Sequence, residues 1–537
     1  MRLAAAVVSG LLTAGAFPPL DFTWLVWVGM LPLLWATWSV GAAGKNRAGW
    51  NGFGLGYLAG LVACLIQFNW VASVSWLGAI LLPMYLAVYW GLFGLFAAKI
   101  GNPWSNGKPM RILTVAFCHG AVWAGCELLR GWVITGISWN VLGTAFHDLP
   151  QLAQAADLFG VAGLSMVLVF FQVTFLLAVK QREWSTLAVA ATVVGLLAIY
   201  GVVRIQIENS GDSIRLKTLL VQINIPQEAD RVLWTDLETH QAYEEETLKA
   251  LDALKTPDGK LSPQWPDWVM WPECALTGRI LRADDGTWGT WQINQDTISQ
   301  VRTAGPFSLI YGVNELEAER HVSQWLMKEN GKAYNSIAVM SPSDELQTYR
   351  KRHLVIFGET IPFVDSVPLL KKIYEQQSGT EYHGSFTAGD SQEPLPIRAA
   401  STDIGAIPTV CFEDSVPRLT RKFIRSGPQV IINVTNDGWF KQSAAAVQHF
   451  QYARFRAIEL RRPMLRCANT GVTAAISSTG KSQILTDQEG SHFTRGSLLT
   501  ELKVPLHPSF SLYAVMGDWA LIALAFIGLA LPIMLRK

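Results

Sequence analysis

Eight apolar stretches, each near the roughly 20 residues that a hydrocarbon core about 30 Å thick demands, commit much of this chain to a bilayer. They fall at about 3 to 17, 22 to 40, 51 to 69, 74 to 98, 112 to 130, 157 to 179, 185 to 203 and 513 to 534. Half of the 537 residues are hydrophobic and only 16% are charged, the balance of a membrane protein with a soluble part. Seven spans precede a long polar segment and one follows it. The expected division is therefore a membrane domain of seven helices over 1–205, a second domain over 213–508 and a closing span within 511–537.

The first stretch, LAAAVVSGLLTAGAF, has the length of a signal peptide but runs through FPPLDFTW directly into the next, so it reads as a retained helix. Lys45 and Arg47, then Lys99, Lys108 and Arg111, then Lys180 and Arg182, and finally Arg536 and Lys537 all fall on one side of an eight-span arrangement. The positive-inside tendency makes that side cytoplasmic and turns the polar segment outward. Arg130 is the exception. The glycines of GFGLGYLAG, residues 52 to 60 of the third stretch, have the spacing that lets helices pack closely.

A net charge of +1 with no long basic run offers nucleic acid no field. The nine histidines include no HExxH and no pair at ligand spacing beside Cys or Asp, so neither a metal nor a cofactor is expected. Cys64, Cys118 and Cys126 lie in apolar spans as small packed residues. Of the other three, Cys274 and Cys467 can pair in an oxidising compartment while Cys411 stays free. Asn433-Val-Thr435 has the form of a glycosylation sequon but sits in an expected core strand.

Between about 213 and 508 the pattern changes to short β-branched runs, among them LKTLLVQIN, PDWVMWPE, FSLIYGVNE, NSIAVMSP, IGAIPTVCF and PQVIINVTND, separated by amphipathic stretches such as 237–254 and 447–460. That alternation predicts an α/β domain around a packed sheet core. Glu273 and Cys411 each end an apolar run, where open α/β sheets place ligand sites. A thiol is only slightly ionised at neutral pH, so a nucleophilic Cys needs a base or a cation beside it. Glu273 can accept and return a proton, and Lys351 can stabilise a thiolate and an oxyanion. Taken singly, a Cys after Val is a packed core residue, a Glu after Trp-Pro a solvated strand end, and Lys351 one charge among several in YRKRH.

WPE, YRKRHLVIFGE and CFED, in this order, resemble the Glu-Lys-Cys triad of the nitrilase (carbon-nitrogen hydrolase) superfamily, whose fold is an α-β-β-α sandwich. The surrounding sequence is similar to the apolipoprotein N-acyltransferase family: FPPLDFTWLVWVGMLPLL, ELLRGWVITGISWN, LVQINIPQ, NDGWF, HFQYARFRAIELRRPMLRCANTG and SLYAVMGDW carry the resemblance along nearly the whole chain. It implies a multi-span helical membrane domain joined to a nitrilase-like sandwich. It also implies Cys411 as nucleophile, Glu273 as general base and Lys351 as stabiliser of thiolate and oxyanion, with Glu359 and Glu413 as supporting carboxylates. Trp234, in ADRVLW, matches a Trp on a mobile arm that meets lipid; its plainer reading is an amphipathic-helix aromatic.

The implied reaction takes an acyl chain from a phospholipid through a cysteine thioester to the N-terminal amine of a diacylated apolipoprotein. The implied setting is the bacterial inner membrane, with the catalytic domain facing the periplasm and the protein a monomer. Three positions depart from the family pattern: Phe412 stands for Tyr, Ile356 for the Pro before FGE, and Ser138 for the Pro before Trp139. Phe412 lacks a hydroxyl that could help hold an acyl oxygen or the loop. Glu127 and Arg130, one helical turn apart at a span end, read as an interfacial ion pair or as a contact for a phospholipid headgroup. Candidate moving parts are the segment from Glu375 to Gly389 and the arm near Trp234. Two other readings stay open: a membrane-anchored amidase in which water is the acceptor, and a non-catalytic scaffold that handles lipoproteins.

Overall fold

The computed structural model describes every residue except 43–46, 104–107, 135, 229–230, 322–323, 357, 362–363, 365–366, 379–383, 400–401 and 536–537. Lys45, Arg536 and Lys537 of the charge argument, and residues 379–383 of the expected moving segment, thus lie outside the described residues. The chain separates into two compact units: Met1–Ser210, Val447–Arg461 and Phe510–Lys537 form one, and Gly211–Ala446 with Arg462–Ser509 the other.

The first unit is helical. Among the described residues, six helices are long and apolar enough to cross a membrane: Thr23–Ala42, Ala48–Gln67, Trp76–Ile100, Pro109–Trp132, Ala156–Gln181 and Trp184–Ser210. The outermost two of the eight expected spans are shorter, Arg2–Gly15 with 14 residues and Trp519–Met534 with 16. A rise of about 1.5 Å per residue makes each of these less than about 25 Å long. The reason is local: FPPLDF ends the first helix, and Gly517, at φ 58°, delays the last. The expected close packing of glycines occurs between Ala48–Gln67 and Trp76–Leu95. A Cβ on Gly56 would stand 2.2 Å from the Trp90 carbonyl oxygen, so only glycine permits that approach.

Helix Ala444–Leu460 enters this unit at Val447, and polar bonds hold it there. Glu459 accepts the Val161 N–H at 3.0 Å, immediately after the left-handed Gly160 that kinks Ala156–Gln181. Arg461, fully buried, pairs with Asp157 at 2.6 Å. A buried guanidinium needs such a partner because desolvation is costly.

The second unit is an α/β fold with two stacked sheets. In one, strands follow the order Leu346–Arg350, Ala333–Met340, Ser308–His321, Trp268–Met270, Ser213–Gln222 and Gly496–Pro505, with Trp268–Met270 parallel to both of its neighbours. In the other the order is Leu395–Ala399, Thr402–Val410, Gln429–Thr435, Met464–Ala468, Ala474–Ile476 and Ser482–Ile484, with the Thr402, Gln429 and Met464 strands parallel. Those three strands are almost wholly buried and accordingly read as continuous apolar runs. The sheets meet face to face: the Cys467 thiol donates to the Val221 and Met270 carbonyls, and the Trp268 indole N–H to the Arg398 carbonyl at 2.8 Å. Helices Asp236–Asp252 and Gln292–Arg302 cover the outer face of the first sheet through the cluster of Tyr243, Leu251, Trp271 and Ile298.

Cys467 is thereby committed to the inter-sheet core while Cys274 is exposed, and both are free. The pairing that the sequence allowed is not formed, because a side chain locked between two sheets cannot reach a thiol on the surface. Asn433 is likewise fully buried in its strand, which leaves its sequon incidental.

Candidate active site

Parallel strands deliver Glu273 and Cys411 to the same end of the second unit. Glu273 follows Trp268–Met270 through a Trp-Pro step, and Cys411 follows Thr402–Val410 directly. Cys411 has φ 50°, and the chain turns at once into the short helical segment Cys411–Ser415. A left-handed non-glycine at a strand-to-turn junction is strained, by about 1 to 3 kcal/mol, and presents its side chain outward at the bend. Gly312 makes room on the neighbouring strand: a Cβ there would lie 2.5 Å from the Glu273 Cα.

Lys351 ends Leu346–Arg350, and its N–H bonds to the Asn335 carbonyl at 2.8 Å. Its ammonium is 2.9 Å from Glu359 and 3.7 Å from Glu273, with only 1% of the side chain exposed. Asn335 joins the two carboxylates, since its Nδ2 donates to Glu273 Oε1 and to Glu359 Oε1 at 2.8 Å each. Glu273 and Thr435 both act on the Cys411 thiol, and Glu273 Oε2 is buried without a hydrogen-bond partner. Parallel pairing of Val410 with Val434 sets Cys411 beside Thr435, and Arg466 pins the turn that follows by pairing with Asp437 at 3.0 Å and with Asp414.

These neighbours shift each other's proton affinities. Burial pushes the Cys411 thiol well up, the Glu273 charge adds to that, and Lys351 opposes it. Burial also raises Glu273 above the ordinary carboxylate range, with Lys351 pulling the other way. For Glu359, burial is outweighed by the Lys351 charge and hydrogen bond, so its carboxylate stays below that range. Burial alone would lower Lys351, but Glu359 and Glu273 hold its ammonium above the usual lysine range. The resting arrangement is a neutral thiol beside a base of raised affinity and a permanent cation. Such a set can move a thiol proton to carboxylate during attack while the cation faces the developing oxyanion.

Glu413, two residues after Cys411, is fully buried. Its carboxylate accepts the N–H groups of Val410, Arg352 and His353 at 2.8, 2.7 and 2.9 Å, and the Tyr349 hydroxyl at 3.1 Å. It therefore ties the turn after Lys351 to the turn at Cys411. Glu413→Ala strands three buried N–H donors, at about 1 to 3 kcal/mol each. The expected result is a lower melting temperature together with a fall in activity of more than about 100-fold; an unchanged value of both would contradict this bracing role.

Of the remaining sequence candidates, Phe412 follows Cys411 directly and the others lie elsewhere. Phe412 stacks on His353, with centroids 6.0 Å apart and planes at 21°. Trp234 precedes helix Asp236–Asp252, whose capping box Thr235 and Glu238 supply, and it packs against the apolar core of the unit. It is neither a helical residue nor among the described partners of the triad. Glu127 and Arg130 belong to the helical unit, are both buried, and form no ion pair with each other. Glu127 Oε1 accepts the Trp123 indole and the Leu142 N–H at 2.9 Å each, and Arg130 donates to the Trp139 carbonyl at 2.7 Å. They hold the loop that follows their helix.

Asn335 and Thr435 escaped the sequence reading. Both are polar residues in strands whose neighbours are apolar, AYNSIAVM and QVIINVT, and a buried Asn or Thr in such a run requires a partner. That was the available signal.

Residues 233–502 match the Carbon-nitrogen hydrolase family model. The two-sheet domain with its Glu, Lys and Cys is of that class. Residues 9–174 match the Apolipoprotein N-acyltransferase N-terminal domain model. Apolipoprotein N-acyltransferases from Geobacter metallireducens and Rhodopseudomonas palustris are each 30% identical, the first over 98% of this chain and 94% of that protein, the second over 100% and 95%. The chain belongs to the apolipoprotein N-acyltransferase family. Among solved structures, the CN-hydrolase superfamily protein XC1258 from Xanthomonas campestris is similar at 18% identity and TM-score 0.32, covering 60% of this chain and 97% of that one.

Proposed function

We propose that this membrane acyltransferase N-acylates apolipoproteins by a ping-pong route through a thioester on Cys411. The observation that supports the reading best is the buried assembly in which Lys351 contacts both Glu273 and Glu359 while the Glu273 charge acts on the Cys411 thiol. In the first half-reaction, Cys411 Sγ attacks the ester carbonyl of a phospholipid and its proton passes to Glu273. The ester C–O bond breaks, Glu273 returns the proton to the leaving oxygen, and a lysophospholipid departs. In the second, the free α-amine of a diacylglyceryl-cysteine attacks the thioester carbonyl, Glu273 takes a proton from the amine, the C–S bond breaks, and Glu273 returns that proton to the departing sulfur.

Lys351 stabilises the oxyanion in both halves. Glu359 keeps that ammonium charged and in place, and Glu413 braces the two turns. The second unit faces the periplasm from the inner membrane, where donor and acceptor share a leaflet and the reaction gains by proximity.

The test is intact-mass spectrometry of purified protein incubated with phospholipid, followed by a diacylated lipopeptide. A single acyl adduct that discharges as N-acyl lipopeptide is expected. Discharge to free fatty acid alone would make the protein a hydrolase, and no adduct on folded protein would favour the scaffold.

A further inference from the structure

A second cluster of chemistry-bearing side chains lies in the helical unit, in parts that no catalytic step uses. Asp21 follows the first helix, His147 and Asp148 end the short helix Leu142–Asp148, and Gln451 projects from Ala444–Leu460. Donor atoms of Asp21, His147 and Asp148 lie within 4.8 Å of one another. His147 Nε2 is 3.2 Å from Asp21 Oδ1, and His147 Nδ1 is 2.9 Å from Asp148 Oδ1. The Thr23 hydroxyl donates to the other Asp148 oxygen at 3.3 Å, and the Arg454 charge acts on Asp148 as well. Asp148 is thus compensated from its own side, whereas the described polar partners of Asp21 are His147 and Gln451.

Gln451 supplies an independent observation. It is only 4% exposed, and its Oε1 is buried without a hydrogen-bond partner. Its amide nitrogen stands 3.0 Å from His147 Nε2 and 3.4 and 3.2 Å from the two Asp21 oxygens. A half-turn of the amide exchanges its nitrogen and oxygen. The oxygen then joins His147 Nε2 and Asp21 Oδ1 in a triangle with edges of 3.0 to 3.4 Å. Ligand atoms bound at about 2.1 Å to one cation are about 3.0 Å apart in octahedral and about 3.4 Å apart in tetrahedral geometry. Without a cation that half-turn sets an oxygen against a carboxylate; with one, both oxygens become ligands, and the amide nitrogen takes the position the oxygen held.

We propose that Asp21, His147 and Gln451 bind one divalent transition-metal cation, with Asp148 orienting the imidazole from its far side. A carboxylate on Nδ1 fixes the tautomer that leaves the Nε2 lone pair free for a metal. The ligand set of one imidazole, one carboxylate and one amide oxygen suits Zn²⁺, Co²⁺ or Mn²⁺. Solvent reaches the site past Asp21 and Asp148, whose side chains are 34% and 53% exposed. The cation would cross-link three chain segments, a structural role independent of Cys411.

Tag-free full-length protein in detergent, stripped with chelator and titrated with Co²⁺, reports the site through visible d–d absorption. One equivalent per chain is expected, displaceable by Zn²⁺, and it persists in Cys411→Ala. Asp21→Asn and His147→Gln should weaken binding by more than about 100-fold. Asp148→Asn, which spares the three ligands and so guards against a misfolded variant, should weaken it about 10- to 100-fold. Absence of saturable Co²⁺ binding by folded wild type, or equal affinity in wild type and Asp148→Asn, would overturn the proposal.

Discussion

Cys411→Ala protein is expected to reach the membrane and fold, yet to carry no acyl adduct after exposure to phospholipid and to transfer nothing to a lipopeptide. Removal of a covalent nucleophile costs about four orders of magnitude or more in turnover. Folding should survive because the Cys411 side chain is only partly buried and the turn is held by other groups: Asn433 Nδ2 donates to the Cys411 carbonyl at 3.1 Å, and Glu413 accepts the Val410 N–H. Alanine keeps the same backbone constraint at positive φ and loses only the sulfur. Mass spectrometry, single-turnover transfer and a melting curve on the same preparation decide the matter. Transfer by the alanine variant at even a hundredth of the wild-type rate would defeat the thioester route.

Lys351→Met should lower the rate of acyl-enzyme formation by about 10³-fold, close to 4 kcal/mol of barrier. The variant also has a signed pH signature. Lys351 holds the Glu273 affinity down against burial, so deleting the ammonium raises Glu273 further. The working form of a base is its ionised form, which is lost as pH falls through its folded pKa. The acid limb of the rate profile should therefore lie above the ordinary carboxylate range in the wild type and move to still higher pH in Lys351→Met. Methionine preserves most of the stem volume, which limits the packing loss. An acid limb that stays in place or moves to lower pH would show that Lys351 does not act on Glu273.

The parts of the site that sit at strand ends were legible in the sequence, and the parts that brace them were not. Glu273, Lys351 and Cys411 interrupt apolar runs within motifs of recognisable order. Asn335 and Thr435 make their contacts only after strands far apart in the chain have paired, so their neighbours cannot be read from local pattern. The same holds more strongly for Gln451, whose contact with His147 spans 304 positions. Asp21 and His147, 126 positions apart, defeat any search for ligand spacing. Helical periodicity put Glu127 and Arg130 on one face correctly, but the loop after their helix offered each a better partner than the other. Among the described residues each of the eight apolar stretches holds a helix, but the first and last are shorter than apolar length implied, because hydropathy does not see where a proline pair or a left-handed glycine stops a helix.

The helical unit is assembled from three separated pieces of chain, and this sets an order of events during synthesis. When the ribosome has finished residue 210, the six helices of spanning length and the shorter Arg2–Gly15 exist, yet Asp157 and the Val161 N–H still await Arg461 and Glu459. Those partners emerge only after most of the α/β segment has been made. A truncation ending at residue 210 should therefore be a poor substitute for the native unit, prone to aggregation or proteolysis. A fragment containing 447–461 and supplied separately is the natural complement with which to rescue it.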